Sequence, residues 1–126
     1  MEISVTQETG QVPVTVFQLR GDLTDEEPLY SQAKVAYDAG ARYLLLDLTA
    51  VPYISSYGLR TLHKVYILLR GNTAGDTGSI AAGTYKSPHL KLFNPSPAAL
   101  KSLSVAGYDM FLEIHKNYSE AIASFK

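Results

Sequence analysis

Ser55, Ser56 and Tyr57 stand in a row ahead of Gly58 and Leu59, the densest group of reactive side chains in the 126 residues. A serine at a strand-to-helix turn could be a nucleophile. The G-x-S-x-G elbow that exposes such a serine is incomplete, because Ile54 and Ser55 precede Ser56 where a glycine two places ahead is needed. A base is also lacking. His63 lies about two turns further along the same predicted helix, out of hydrogen-bond reach of Ser56. His89 and His115 fall at strand edges, where solvated or locally bonded rings are expected. No H-E-x-x-H or paired-carboxylate spacing suggests a metal. The glycines between 71 and 83 do not form a G-x-x-x-x-G-K-[ST] phosphate loop, so no cofactor is implied. Asp22, Asp25, Glu26 and Glu27 read as the solvated, acidic start of a helix rather than a cation site. Catalysis is therefore not expected. One hydroxyl of the Ser55/Ser56 pair is explained as a helix cap. A binding or regulatory role stays open for the other hydroxyl and for Tyr57.

The elements around this corner follow from pattern. Leu44, Leu45 and Leu46 form an apolar run without alternation, as in a strand covered on both faces, and the run stops at Asp47. Pro52 interrupts regular structure. Leu59, Leu62, Val65, Tyr66 and Leu69 then recur at helical spacing. The corner thus joins the carboxyl end of a buried strand to a helix N-terminus, where ligands of open α/β sheets collect and where phosphate charge is accommodated.

Upstream, Ile3, Val5 and Gln7 and then Val12, Val14 and Val16 alternate about Gly10-Gln11, predicting an antiparallel hairpin with Pro13 at a strand start or edge. Leu29, Ala33, Ala36 and Tyr37 predict a helix capped by Thr24 or Asp25 and stopped at Gly40. Downstream, residues 71–88 predict a long loop. A strand is expected over residues 89–93, then a helix capped by Ser96 with Pro97 at its first position, lined by Leu100, Leu103 and Val105 and ended by Gly107. Residues 110–114 predict the last strand. Tyr118, Ala121, Ile122 and Phe125 give a closing helix capped near Asn117 or Ser119. The order β-β-α-β-α-β-α-β-α implies an α/β fold, a mixed and mostly parallel sheet with helices packed on it. A single domain over residues 1–126 is expected.

Composition narrows the partner classes. Hydrophobic residues make up 46% of the chain, enough for a folded core. A formal charge of −1 argues against non-specific nucleic-acid binding, which needs a concentrated basic surface. The opening residues lack a signal peptide's basic segment and apolar core, and no apolar run is long enough to span a bilayer. With no cysteine, the expectation is a cytoplasmic protein without membrane insertion.

Leu44 to Leu48 (LLLDL), then Val51 to Leu59 (VPYISSYGL), resembles the signature of STAS domains, the family of bacterial anti-sigma factor antagonists and sulphate-transporter tails. That signature is an apolar strand ending in Asp-Leu or Asp-Phe, then an apolar-Asp-Ser-[Ser/Thr]-Gly-Leu turn opening a helix. Gly21-Asp22-Leu23-Thr24 is similar to the Gly-x-Leu-Asp segment ahead of the family's first helix, and residues 104–111 are similar to its helix–Gly–strand ending. The resemblance covers nearly the whole chain and implies a STAS-like fold and a non-enzymatic switch protein. Its implied partner is a histidine-kinase-like anti-sigma factor, docked through the corner at residues 55–59.

In antagonists of this kind the serine or threonine before the motif glycine is phosphorylated by that partner. Here Tyr57 holds the acceptor position, Ser55 stands where the family often has Asp, and Thr24 also replaces an Asp. Ser56, and after it Ser55, are the candidate phospho-acceptors. Asp22, Thr24, Ser55, Ser56, Tyr57, Gly58 and Leu59 form the expected contact surface, with Tyr57 its anchor. Two other readings are a STAS subunit of a transport complex and a small-molecule or nucleotide sensor closed by the 71–88 loop.

Overall fold

The computed structural model describes residues 1–70 and 86–125. The loop expected at 71–88, and the sensor reading built on it, lie largely outside the described residues. Elements follow in the predicted order: β1 (Glu2–Thr9), β2 (Pro13–Arg20), α1 (Glu27–Asp38), β3 (Leu44–Ala50), α2 (Ser56–Arg70), β4 (Leu90–Phe93), α3 (Pro97–Val105), β5 (Glu113–His115) and α4 (Tyr118–Ser124). A short 3-10 turn (Tyr108–Met110) precedes β5. The strands form one sheet in the order β1-β2-β3-β4-β5. β1 and β2 are antiparallel, and the other three pairings are parallel. Among the described residues, no helix is long and apolar enough to cross a membrane.

Alternation along the strands divides the core in two. Phe17 and Leu19 of β2, Leu44, Leu46 and Leu48 of β3, and Leu90 and Leu92 of β4 share one cluster with Leu29 and Ala33 of α1, Leu62, Val65 and Leu69 of α2, and Leu103 of α3. Val14, Val16 and Leu45 pack on the opposite face against Ala121, Ile122 and Phe125. β3 is apolar on both faces because both are covered, as its unbroken leucine run predicts.

The caps show which local signals win. Gly40, with φ +108°, ends α1: its N–H reaches Tyr37 O at 3.0 Å and the Ala41 N–H reaches Ala36 O at 2.9 Å, the paired bonds of a Schellman stop. Ser96 accepts from the Ala99 N–H at 3.2 Å and Asn117 from the Glu120 N–H at 2.9 Å, and Pro97 opens α3. Three local expectations fail. Neither Thr24 nor Asp25 caps α1; its N-cap is Glu26, with no side-chain cap bond, and Pro28 stands in the first turn, where a missing N–H is harmless. Val105 is 80% exposed; Ala99 takes the buried place instead. The last strand is only residues 113–115, because residues 108–110 turn and leave Met110 63% exposed.

Candidate functional site

The corner between β3 and α2 is built on one backbone carbonyl. Leu23, fully buried, follows β2 and makes an isolated parallel bridge with Ile54. Its N–H donates to Tyr53 O at 2.9 Å, and its carbonyl accepts from the Ser55 N–H at 3.0 Å. The Ser55 hydroxyl lies 3.4 Å from the same oxygen and accepts from the Gly58 N–H at 3.2 Å. Ser55 is therefore the N-cap of α2. Its carbonyl also receives the Leu59 N–H at 2.9 Å, the first bond of the helix.

This arrangement requires glycine at 58. A Cβ there would sit 2.2 Å from Leu23 O, far inside any van der Waals contact, and 3.0 Å from Ile54 Cγ2. The missing side chain lets the first turn of α2 lie directly on the Asp22–Thr24 turn. Residues 32 positions apart in sequence thereby become one rigid surface.

Each residue named from sequence has a definite place in it. Asp22 and Thr24 are exposed on either side of buried Leu23. Ser55 is half-buried and occupied by capping, whereas Ser56 is exposed at the first helical position. Tyr57 is 63% exposed, and its backbone carbonyl accepts from the Thr61 hydroxyl at 3.0 Å. Gly58 is buried, and Leu59 is half-buried against the main core. Ser56 and Tyr57 face outward together, while Ser55 and Gly58 hold the frame.

Other residues at this corner gave no sequence signal. The Arg60 guanidinium lies 5.6 Å from the Tyr57 ring centroid, within range of a weak cation–π contact. Arg60 also acts on Tyr108: burial pushes that phenol's pKa up, and the Arg60 charge partly opposes the shift. A hollow of about 290 Å³ beside Ser56 is lined by Tyr53, Ile54, Leu59, Lys101, Val105 and Ala106. It joins the start of α2 to the second half of α3, some forty residues later, which is why no local pattern announces it. The only charges in this part of the surface from α2's first turns and α3 are those of Arg60 and Lys101.

The histidines take no part. His63 is exposed and stacks near Tyr66 and Phe111. His89 Nδ1 lies 3.0 Å from Arg42 O, and His115 Nε2 lies 3.2 Å from Glu113 Oε1. None is placed to serve Ser56. Among the described residues no cluster of His, Asp or Glu has metal-ligand geometry.

The family model for the STAS domain matches residues 4–74, more than half of the chain. The fold is similar to an anti-sigma factor antagonist from Mycobacterium paratuberculosis, with TM-score 0.70 and 20% identity over 98% of this chain and 94% of that one. It is also similar to the Bacillus cell fate determinant SpoIIAA in its phosphorylated form, with TM-score 0.64 and 16% identity over 99% of this chain and 100% of that one. SpoIIAA in its unphosphorylated form gives 0.61 and 15%, over 94% and 92%. No curated protein sequence matches this chain significantly.

Proposed function

This chain belongs to the STAS domain family, and from that premise we propose that it is a non-enzymatic regulatory module that docks on a protein partner through the β3–α2 corner. The observation that carries the reading is Tyr57, a large aromatic left 63% exposed on a helix start that is otherwise locked in place. Tyrosine buries much area for few rotatable bonds and keeps a polar tip, so a rigidly presented one is a good interface anchor. Tyr53 at 49% and Val105 at 80% exposure continue the apolar surface on either side of the hollow.

The anti-sigma factor antagonists among its structural relatives favour a histidine-kinase-like anti-sigma factor as the partner and transcription regulation as the output. Ser56 is the proposed phospho-acceptor, because it is exposed whereas Ser55 spends its hydroxyl on the cap. A phosphate would add about −1.5 to −2 charges to the contact surface and change docking by charge and desolvation.

Affinity capture from the source cells, with wild-type and Tyr57→Ala baits and intact-mass analysis, tests the reading. A kinase-like protein held by wild type and released at least tenfold more readily by Tyr57→Ala is expected, from an anchor's contribution of about 2 kcal/mol. Mass gain by about one phosphate, lost in Ser56→Ala, is expected under conditions that release the partner. Equal retention by both baits would sink the corner. Capture of a transport ATPase instead would favour the transport-complex reading.

A further inference from the structure

The sheet has two edges, and they are treated differently. β5 is three residues long and carries Glu113 and His115, two of the usual devices against stray pairing. β1 is eight residues long, EISVTQET, with no Lys, Arg, Pro or bulge. Among the described residues it pairs with β2 alone, so every second N–H and C=O along it points away from the sheet. One of its two charges is turned inward, since Glu8 accepts the Tyr118 hydroxyl at 2.7 Å.

Above β1 lies an apolar trough of about 620 Å³ between the hairpin and α1. Val5, 49% exposed, is on its floor, and Val35, 67% exposed, is on its wall. Gln32 and Ala39 extend that wall, so the side of α1 facing the trough is uncharged; Glu27, Lys34 and Asp38 lie elsewhere on the helix. An open edge and an open apolar trough thus border one another, far along the sheet from the β3–α2 corner.

We propose that this edge pairs with a second copy of the chain, β1 against β1 in antiparallel register about a two-fold axis normal to the sheet. That operation keeps the two α1 faces on the same side, extends the trough's floor with the partner's strand and sets a second α1 beyond it. Side chains select the register. Centring the axis on Val5 sets Glu2 against the other copy's Glu8 twice, a like-charge opposition. Centring it on Thr6 pairs Val5 with Gln7 and Ile3 with Thr9 and gains no apolar pair. Centring it on Ser4 pairs Ile3 with Val5 in both directions, on the trough side, and sets Glu2 against Thr6. Among the registers that overlap five or more residues of β1, that one alone joins apolar pairs without opposing like charges. A single strand edge with two apolar pairs makes a small interface, so the dimer is weak and concentration-dependent.

Sedimentation equilibrium of the intact protein from low micromolar to near-millimolar concentration tests this. The apparent mass rises from 13.8 kDa toward twice that value. The outward amides of β1 gain hydrogen-exchange protection over the same range, which docking through any other face would not produce. Val5→Lys, which alters only an exposed side chain of the monomer, weakens association about tenfold or more because the change counts twice. Ser4→Lys, at the axis, does the same by like-charge contact. A monomer at every concentration overturns the proposal, and so does a dimer that survives both substitutions or leaves β1 amides unprotected.

Discussion

Replacing Gly58 by alanine sets two opposite effects against each other. A glycine within a helix is normally a weakness, and alanine there stabilises by roughly 0.5–1 kcal/mol through helix propensity and a less free unfolded chain. At position 58 the added Cβ would lie 2.2 Å from Leu23 O, so the two must separate by about an ångström. Neither side is free to move. The Leu23 carbonyl is held by the Ser55 N–H at 3.0 Å with the Ser55 hydroxyl at 3.4 Å, and the Leu23 N–H is held by Tyr53 O at 2.9 Å. The Leu23 side chain is fully buried in the main core. Lengthening two such bonds costs about 1 kcal/mol each, and displacing a packed core residue costs about 1–3 kcal/mol. The clash wins over propensity, for a net destabilisation of about 2–4 kcal/mol. Urea unfolding followed by circular dichroism gives the number as a fall in midpoint at unchanged slope. Ser56→Ala, two residues away and exposed, is the control and should stay within about 0.5 kcal/mol of wild type. A Gly58→Ala protein as stable as wild type, or more so, would refute the contact between the helix start and the Asp22–Thr24 turn.

Three further perturbations have definite signs. Ser55→Ala removes the N-cap of α2 and should cost about 1 kcal/mol in the same unfolding assay, whereas a neutral result would mean that Ser55 does not cap. Lys91 is 3% exposed, donates to Ser124 O and Oγ at 3.0 Å each, and pairs with Glu113 at 3.0 Å. Lys91→Met keeps the stem's packing but releases α4, so the amides of α4 should lose exchange protection and stability should fall by about 1–3 kcal/mol, Glu113 being able to rehydrate. Tyr118 has its phenol pKa pushed up to about 12, first by burial and then by its hydrogen bond to Glu8 and the charges of Glu8 and Asp47. The folded state holds that proton more tightly than the unfolded chain. The stabilisation is therefore complete below about pH 10 and lost as pH rises through about 12, amounting to about 1 kcal/mol after discounting for the ring's partial exposure. Wild type should lose its advantage over Tyr118→Phe across that interval; a constant difference would exclude the linkage.

Much of this architecture is carried by signals a few residues long. The leucine run at 44–46 demands cover on two faces, the period from Leu59 to Leu69 demands one buried helix face, and Gly40, Ser96, Pro97 and Asn117 set element ends through their own backbone chemistry. These act within one turn or one strand, so the sequence by itself determined the element order, the mixed sheet and the position of the corner. It could not decide between Ser55 and Ser56 as the cap, since both have the right hydroxyl at nearly the right place. That choice belongs to Leu23, 32 residues earlier, whose carbonyl takes the Ser55 N–H and leaves Ser56 facing outward. The same holds for the hollow between α2 and α3, for Lys91 under α4, and for Val105 and Met110, apolar residues whose local pattern promises burial but which stand 80% and 63% exposed. Local propensity is a property of neighbours in the chain. Which hydroxyl is consumed, which aromatic stays exposed and which glycine is indispensable are properties of neighbours in space, and only the packed tertiary structure supplies those.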